Sequence, residues 1–366
     1  MEHKKLGDIA TYVNGYAFKP EDRGTKGLPI IRIQDLTGNS YDLGFYNGEY
    51  PKKIELNNGD ILISWSASLG VYEWNRGKAL LNQHIFKAVF DKLDVNKKYF
   101  VFAVKYNLKE MEKRTHGATM KHITKKDFDN VLVPFPPLNK QQEIAATLDK
   151  LQSIITHRRT QLEKLDLLVK ARFVEMFGEP ILNEKGWNMV TIGDIVTEVK
   201  YGTSKPAVEG GKYPYLRMNN LTYDGHLDLT NLKMIDIPDS EIEKCIVHRG
   251  DVLFNRTNSI ELVGKTCVFD KDEDMVIAGY IIRVRLKSIM LPIVLSYFMN
   301  TDALKKKLRN MAKGAVNQAN INAQEFKSIN IYLPPIELQT QFADFVKQVD
   351  KSRFITLKEN KESEIL

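Results

Sequence analysis

The chain has 366 residues, 43% hydrophobic and 27% charged, with a net charge of +7. Those totals exclude a disordered or fibrous chain, fit two or three packed domains, and favour an anionic partner. Two cysteines, Cys245 and Cys267, exclude a disulfide framework and a zinc ribbon; the opening MEHKKLGDIA lacks a signal-peptide pattern, and the longest apolar run, 290–299, is too short to span a bilayer, so a cytoplasmic protein without membrane contact is expected.

Residues 1–134 mix short apolar alternations with Gly and Asn turns, as a first globular domain does. LGDI at 6–9 opens it, 27–33 and 59–64 read as strands, and 97–111 reads as a helix. Residues 135–178 read as one long central helix. Pro136 and Pro137 stop the preceding strand, Asn139 is the expected N-cap with Gln142 reaching back to it, and Gly178 and Pro180 end the helix. Its apolar residues Ile144, Leu148, Leu151, Ile155, Leu162, Leu165, Val169 and Met176 step alternately by four and three. Arg158 and Arg172 take the two missing places. That heptad seam needs a partner helix along a rod on the order of 60 Å long.

Residues 179–333 repeat the first domain. LGDI returns as IGDI at 192–195, IRIQDLT at 31–37 as LRMNNLT at 216–222, and GDILIS at 59–64 as GDVLFN at 250–255. Gly117-Ala118 returns as Gly314-Ala315, and Pro136-Pro137 as Pro334-Pro335. A distal helix then occupies 334–366. Its Phe342, Val346 and Val349 match Ile144, Leu148 and Leu151, but Arg353 stands where Ile155 would be, and Glu337 and Leu338 replace the expected cap. This helix is expected to be shorter and to fray late. The fold class read from this order is α+β: two similar globular α/β domains separated by two long antiparallel helices forming a coiled coil. The expected shape is a dumbbell with pseudo-two-fold symmetry, suited to a linear polymer with two sites such as duplex DNA.

Basic residues cluster at matching places in the repeat, at 97–126 and 305–327, each as a basic helix running into a Gly-Ala loop. Loops of this kind offer amides, hydroxyls and cations to phosphates and base edges. The candidates in the first loop are Arg114, Thr115, His116, Thr119, Lys121 and His122. In the second they are Lys313, Asn317, Gln318 and Asn320. Polar and aromatic loops add Tyr16, Lys19, Arg23, Arg32, Gln34, Trp65, Ser66 and Ser68 in the first domain. Tyr201, Thr203, Lys205, Arg217, Asn219, Arg256, Thr257, Asn258 and Ser259 are added in the second. Arg32 and Arg217 occupy equivalent places, which also fits a shared structural ion pair. The run from Arg256 follows a buried strand and is the better candidate for contact.

No catalytic pattern accompanies these residues. There is no GxxxxGK[ST] loop and no GxGxxG fingerprint. The double prolines lack the acidic or amide residue and the aromatic residue of the Asp/Asn-Pro-Pro-Tyr motif of DNA amino-methyltransferases. His84, His116, His122 and His157 show no metal-ligand spacing, and neither Ser66 nor Ser68 sits on a nucleophile elbow. Asp127 and Asp129 lack the further acidic partners of a nuclease site.

The double-domain arrangement, PPLNKQQEI leading into the central helix and PPIELQTQF leading into the distal one resemble the DNA specificity subunits of type I restriction-modification systems. The resemblance covers essentially the whole chain. It implies a non-catalytic subunit whose two target-recognition domains each bind half of a bipartite, asymmetric site in double-stranded DNA, with the helical coil setting the spacer. It further implies two methyltransferase (modification) subunits docked on the helices, carrying S-adenosylmethionine, so that no cofactor belongs to this chain. Restriction/translocase subunits would join them. Two other readings stay open: a specificity subunit for a fused restriction-methylation partner, and a coiled-coil adaptor that binds protein alone.

Overall fold

The computed structural model describes residues 2–39, 42–113, 122–315 and 318–365. The chain divides into two compact units, 1–156 and 157–366, and the boundary falls inside the central helix rather than at its ends.

The first unit is built on two four-stranded sheets. One is antiparallel, in the order Thr11–Asn14, Ile85–Val89, Asp60–Ser64, Gly70–Trp74. The other runs Phe45–Tyr46, Leu28–Ile31, Ala79–Leu81, Glu55–Leu56, with its two central strands parallel. The strand expected over 27–33 stops at Ile31, because Arg32 begins a single helical turn, Ile33–Thr37, and donates its backbone N–H to Asp35 at 2.8 Å. Gly59, at φ 85°, makes the turn that feeds the buried strand Asp60–Ser64; the conformation favours glycine. The helix Lys97–Lys113 and the turn Leu6–Ile9 close the core around Ile61, Phe86, Phe100 and Phe128.

The second unit reproduces this plan strand for strand. Its antiparallel sheet runs Val196–Tyr201, Ile281–Leu286, Val252–Asn255, Thr266–Val268. Its mixed sheet runs Lys233–Ile235, Tyr213–Leu216, Met275–Ile277, Ile246–Val247, again with a central parallel pair. A two-stranded ribbon ties start to end in each unit: His3–Lys5 with Leu132–Pro134, and Asn188–Thr191 with Asn330–Leu333. The sequence repeat is therefore a repeat of fold. The single helix Lys97–Lys113 is matched by two, Pro292–Met299 and Asp302–Met311, because Asn300 turns its amide onto the Thr266 carbonyl at 2.6 Å and breaks the run.

The central helix spans Leu138–Phe177 and the distal helix Ile336–Ile365. Asn139 is not the cap: it lies inside the first turn, where its side-chain Oδ1 accepts from Lys140 N–H at 2.8 Å. A buried glutamine anchors both starts instead. Gln141 donates to the Pro136 carbonyl at 2.9 Å and accepts from Asn96 N–H at 3.0 Å. Gln339 donates to Pro334 and Ile289 carbonyls at 2.8 and 3.0 Å and accepts from Leu291 N–H at 2.8 Å. The distal start thus has the same device as the central one.

Within the second unit the end of the central helix packs antiparallel on the distal helix. Phe173 and Phe177 meet Phe342 edge to face, each at 5.4 Å, and Val169, Met176, Val346 and Val349 fill the same core. Leu165 packs at its margin. Nearer the start of the seam, Ile144 packs on the first unit's core. Leu148, Leu151, Ile155 and Leu162 are half-buried. Arg353 breaks the heptad for a reason: its guanidinium, 14% exposed, pairs with Asp166 of the central helix and donates toward His226 at 3.1 Å. No helix among the described residues is long and apolar enough to cross a membrane.

Candidate nucleic-acid interface

The same point on the frame is located in both units by backbone hydrogen bonds. In the first, Trp65 N–H donates to the His84 carbonyl at 3.3 Å, and Ile123 N–H to the Trp65 carbonyl at 3.0 Å. In the second, Arg256 N–H donates to the Tyr280 carbonyl and Ile321 N–H to the Arg256 carbonyl, both at 2.9 Å. Ser66 pairs with His122 as Thr257 pairs with Asn320. Asn14 stands opposite Phe86 as Tyr201 stands opposite Ile282. The register makes Trp65 the counterpart of Arg256, His84 of Tyr280, His122 of Asn320, and Asn14 of Tyr201. Each group lies where a buried strand leaves its sheet, beside the end of the Gly-Ala loop.

The side chains on that shared frame differ. Trp65 stacks on Phe86 at 5.7 Å and lies 5.3 Å from the His84 ring and 6.5 Å from the His122 ring. Its indole N–H donates to Asn14 Oδ1 at 3.3 Å. At the equivalent place the Arg256 guanidinium lies 4.9 Å over the Tyr201 ring, and its Nη1 donates to the Gly279 carbonyl at 3.3 Å. Tyr201 is fixed in turn, its hydroxyl accepting from Ala323 N–H at 2.8 Å. One unit therefore offers an aromatic cluster and the other a stacked cation.

In the second unit two of the segments selected from sequence meet at this place. Thr257–Asn258, Gln318–Asn320 and Lys313–Ala315 form one three-stranded sheet, so the Arg-Thr-Asn run and the second Gly-Ala loop are a single surface. Asn258 donates to Asn255 Oδ1 at 2.8 Å, and its own Oδ1 accepts from Ser259 N–H. Lys313 and Gln318 are exposed; Lys313 pairs with Glu325 at 2.6 Å and thereby holds that carboxyl below its usual range. Arg114, Thr115, His116, Thr119, Lys121 and Asn317 lie outside the described residues.

Several of the candidate side chains are engaged within the protein. Ser66 is 2% exposed and Thr257 7%; Thr257 gives its hydroxyl proton to Asn320 Oδ1 at 2.8 Å and so braces the frame. Arg32 pairs with Asp35 at 3.3 Å and donates to the Asp42 carbonyl, while Arg217 donates to the Asn231 carbonyl at 3.0 Å. The shared structural role is the one adopted. Lys205 pairs with Glu241 at 2.9 Å, and Thr203 Oγ1 accepts from Lys205 N–H at 3.2 Å. Lys19, Asn219 and Ser68 are exposed. Arg23, Arg32 and Gln34 share a cleft of about 250 Å³ with Asn82, Gln83 and His84, which joins them to the His84 side of the aromatic cluster.

The basic helices are less free than their composition implied. Lys98 pairs with Asp149 at 2.7 Å, Lys97 donates to the Gly59 carbonyl, and Lys113 pairs with Glu110. Lys305 is buried over the Tyr223 ring at 3.5 Å and donates to the Tyr223 carbonyl; burial pulls it down to about 8. Lys105, Lys109, Lys306 and Lys307 remain exposed. The fold also gathers Asp166, Asp224 and His226 within 4.8 Å of one another, which spacing along the chain did not reveal. Arg353 already supplies the counter-charge there. Burial pushes the Asp166 carboxyl up, but the His226 hydrogen bond and the Arg353 charge outweigh it and hold it below the usual range.

A family model described as "Type I restriction modification DNA specificity domain" matches residues 1–165 and 184–366. The chain is 24% identical over 377 residues to the type I restriction enzyme EcoBI specificity subunit of Escherichia coli, covering 94% of this chain and 78% of that one. It is 25% identical over 375 residues to the EcoKI specificity subunit of Escherichia coli K12, covering 94% and 81%. A solved type I restriction-modification S subunit from M. genitalium shares the fold with a TM-score of 0.59 at 15% identity, covering 100% of this chain and 93% of that one. A chain from a structural account of complex assembly and conformational transition in the type I R-M system gives 0.56 at 17% identity, covering 99% and 94%.

Proposed function

The chain belongs to the type I restriction modification DNA specificity family, as a specificity subunit, and we propose that each of its two units reads one half of a bipartite, asymmetric site in double-stranded DNA. The observation that carries this reading is the matched register of Trp65 with Arg256, where one backbone frame presents unlike side chains. A single frame bearing two chemistries suits two different half-sites, since base edges in the major groove are told apart by donor, acceptor and methyl patterns. Exposed lysines of each unit, among them Lys105, Lys109, Lys306 and Lys307, supply phosphate contacts that set position without reading sequence.

The chain itself performs no catalysis and holds no cofactor. Two modification subunits dock on the long helices and bring S-adenosylmethionine to an adenine, and restriction/translocase subunits join that assembly in the cytoplasm. One of the matched structures comes from work on type I assembly, which supports a scaffold role for the same fold. Footprinting with the purified modification complex tests the reading: two protected blocks separated by an accessible gap are expected, and one continuous block would refute it.

A further inference from the structure

We infer that Arg256 reads a guanine in the half-site of the second unit, with Tyr201 as its positioning platform, and that the first unit reads its half-site without a cation at that register. This rests on the DNA-reading function proposed above.

The guanidinium is held in place but not used up. Its central carbon lies over the Tyr201 ring, 4.9 Å from the centroid, and Tyr201 is itself pinned by Ala323 N–H. Its Nη1 makes one long bond, 3.3 Å, to the Gly279 carbonyl, leaving its second hydrogen. No side-chain donor of Arg256 beyond Nη1 is hydrogen-bonded among the described residues, and Nε is buried without a partner. An interior ion pair would show a carboxylate at this place; Arg283, on the Ile281–Leu286 strand of the antiparallel sheet, has Glu198. A stacked planar fork with unspent donors matches the O6 and N7 acceptors of guanine, the pairing arginine makes most often in the major groove.

The counterpart argues the same way by contrast. Trp65 directs its indole hydrogen to Asn14 and packs its ring on Phe86, so the side chain at this register of the first unit cannot itself fork onto a guanine edge. The two half-sites should therefore differ at the base pair that faces this register.

The test uses the full chain in its modification complex. Wild type first selects its target from randomised duplexes. Single guanines in that target are then replaced by 7-deazaguanine, which lacks N7 but still pairs with cytosine. R256A and R256K are compared with wild type; R256K keeps the charge over Tyr201 and loses the fork. Wild type is expected to lose affinity at one 7-deazaguanine in the second unit's half-site. Both variants should bind the unmodified target about 5- to 150-fold more weakly, the worth of one bidentate pair. They should ignore that 7-deazaguanine and keep full discrimination in the other half-site. Variants that remain as sensitive as wild type, or a half-site without such a guanine, would overturn the assignment. A uniform loss across all sequences would also overturn it, by making Arg256 a phosphate contact or a structural clamp. If wild type selects no motif at all, the DNA-reading function fails before Arg256 is at issue.

Discussion

Replacing Gln339 by alanine removes the anchor of the distal helix and leaves three partners stranded. The side chain is fully buried. Its loss unpairs the Leu291 N–H and the Ile289 and Pro334 carbonyls, bonded at 2.8, 3.0 and 2.8 Å. Each unmet buried group costs about 1–3 kcal/mol. Water reaches the two half-buried ones, so the low end applies and the sum is about 3 kcal/mol. Gln141→Ala strands two groups, the Pro136 carbonyl and the Asn96 N–H, and should cost about 2 kcal/mol. With a urea slope of about 1–3 kcal/mol/M, Gln339→Ala lowers the midpoint of the second unit's transition by about 1–3 M. The two sites belong to separate units, so their costs should add in the double variant. Amide exchange at Leu291 gives the local readout and should speed up in Gln339→Ala alone. A midpoint shift below about 0.3 M with unchanged exchange at Leu291 would show that the glutamine merely fills space, and the reasoning from stranded partners would be wrong.

Asp166→Asn should loosen the distal helix from the central one, because Arg353 then keeps only Asp350, on its own helix, as a counter-charge. The folded Asp166 carboxyl is held below its usual 3.8, so its contribution is present above that value and is lost as pH falls through the folded value; the variant's stability should fall less steeply in that acid window, as urea titrations at several pH values would show. Glu198→Gln leaves the fully buried Arg283 with carbonyl partners only and should cost about 3 kcal/mol by chemical denaturation. Replacing Arg114 and Lys121 together by serine should weaken binding to every DNA sequence and flatten the log–log salt slope by about 2, read by fluorescence anisotropy at graded salt. An unchanged slope would place the phosphate track elsewhere.

The large plan was legible because it is written in repeated and periodic signals. GDILIS and GDVLFN mark the same buried strand, and both prove to be the third strand of equivalent antiparallel sheets. The heptad announced a helix pair, and Val169 and Val346 do pack together in one core. What stayed hidden depends on residues distant in sequence. Gln141 and Gln339 look like polar residues on a solvated face until the chain folds back over them. Phe173 and Phe177 lie outside the 4–3 stepping yet carry the aromatic contact with Phe342. The Tyr201–Arg256 stack joins the last residue of one strand to the residue just past the end of another, and Lys305 looks like any lysine of a basic helix until Tyr223 covers it. Extending the aligned strands by one residue would have matched Trp65 with Arg256; their unlike chemistry concealed the equivalence.

The most direct test of a two-headed reader is the set of adenines that become methylated when this chain is expressed with its modification subunits in a host free of adenine methylation. The account predicts one asymmetric motif: two specified blocks separated by a gap of fixed length and unspecified sequence. A palindromic or contiguous motif, or methylation unaffected by removing this chain, would contradict it.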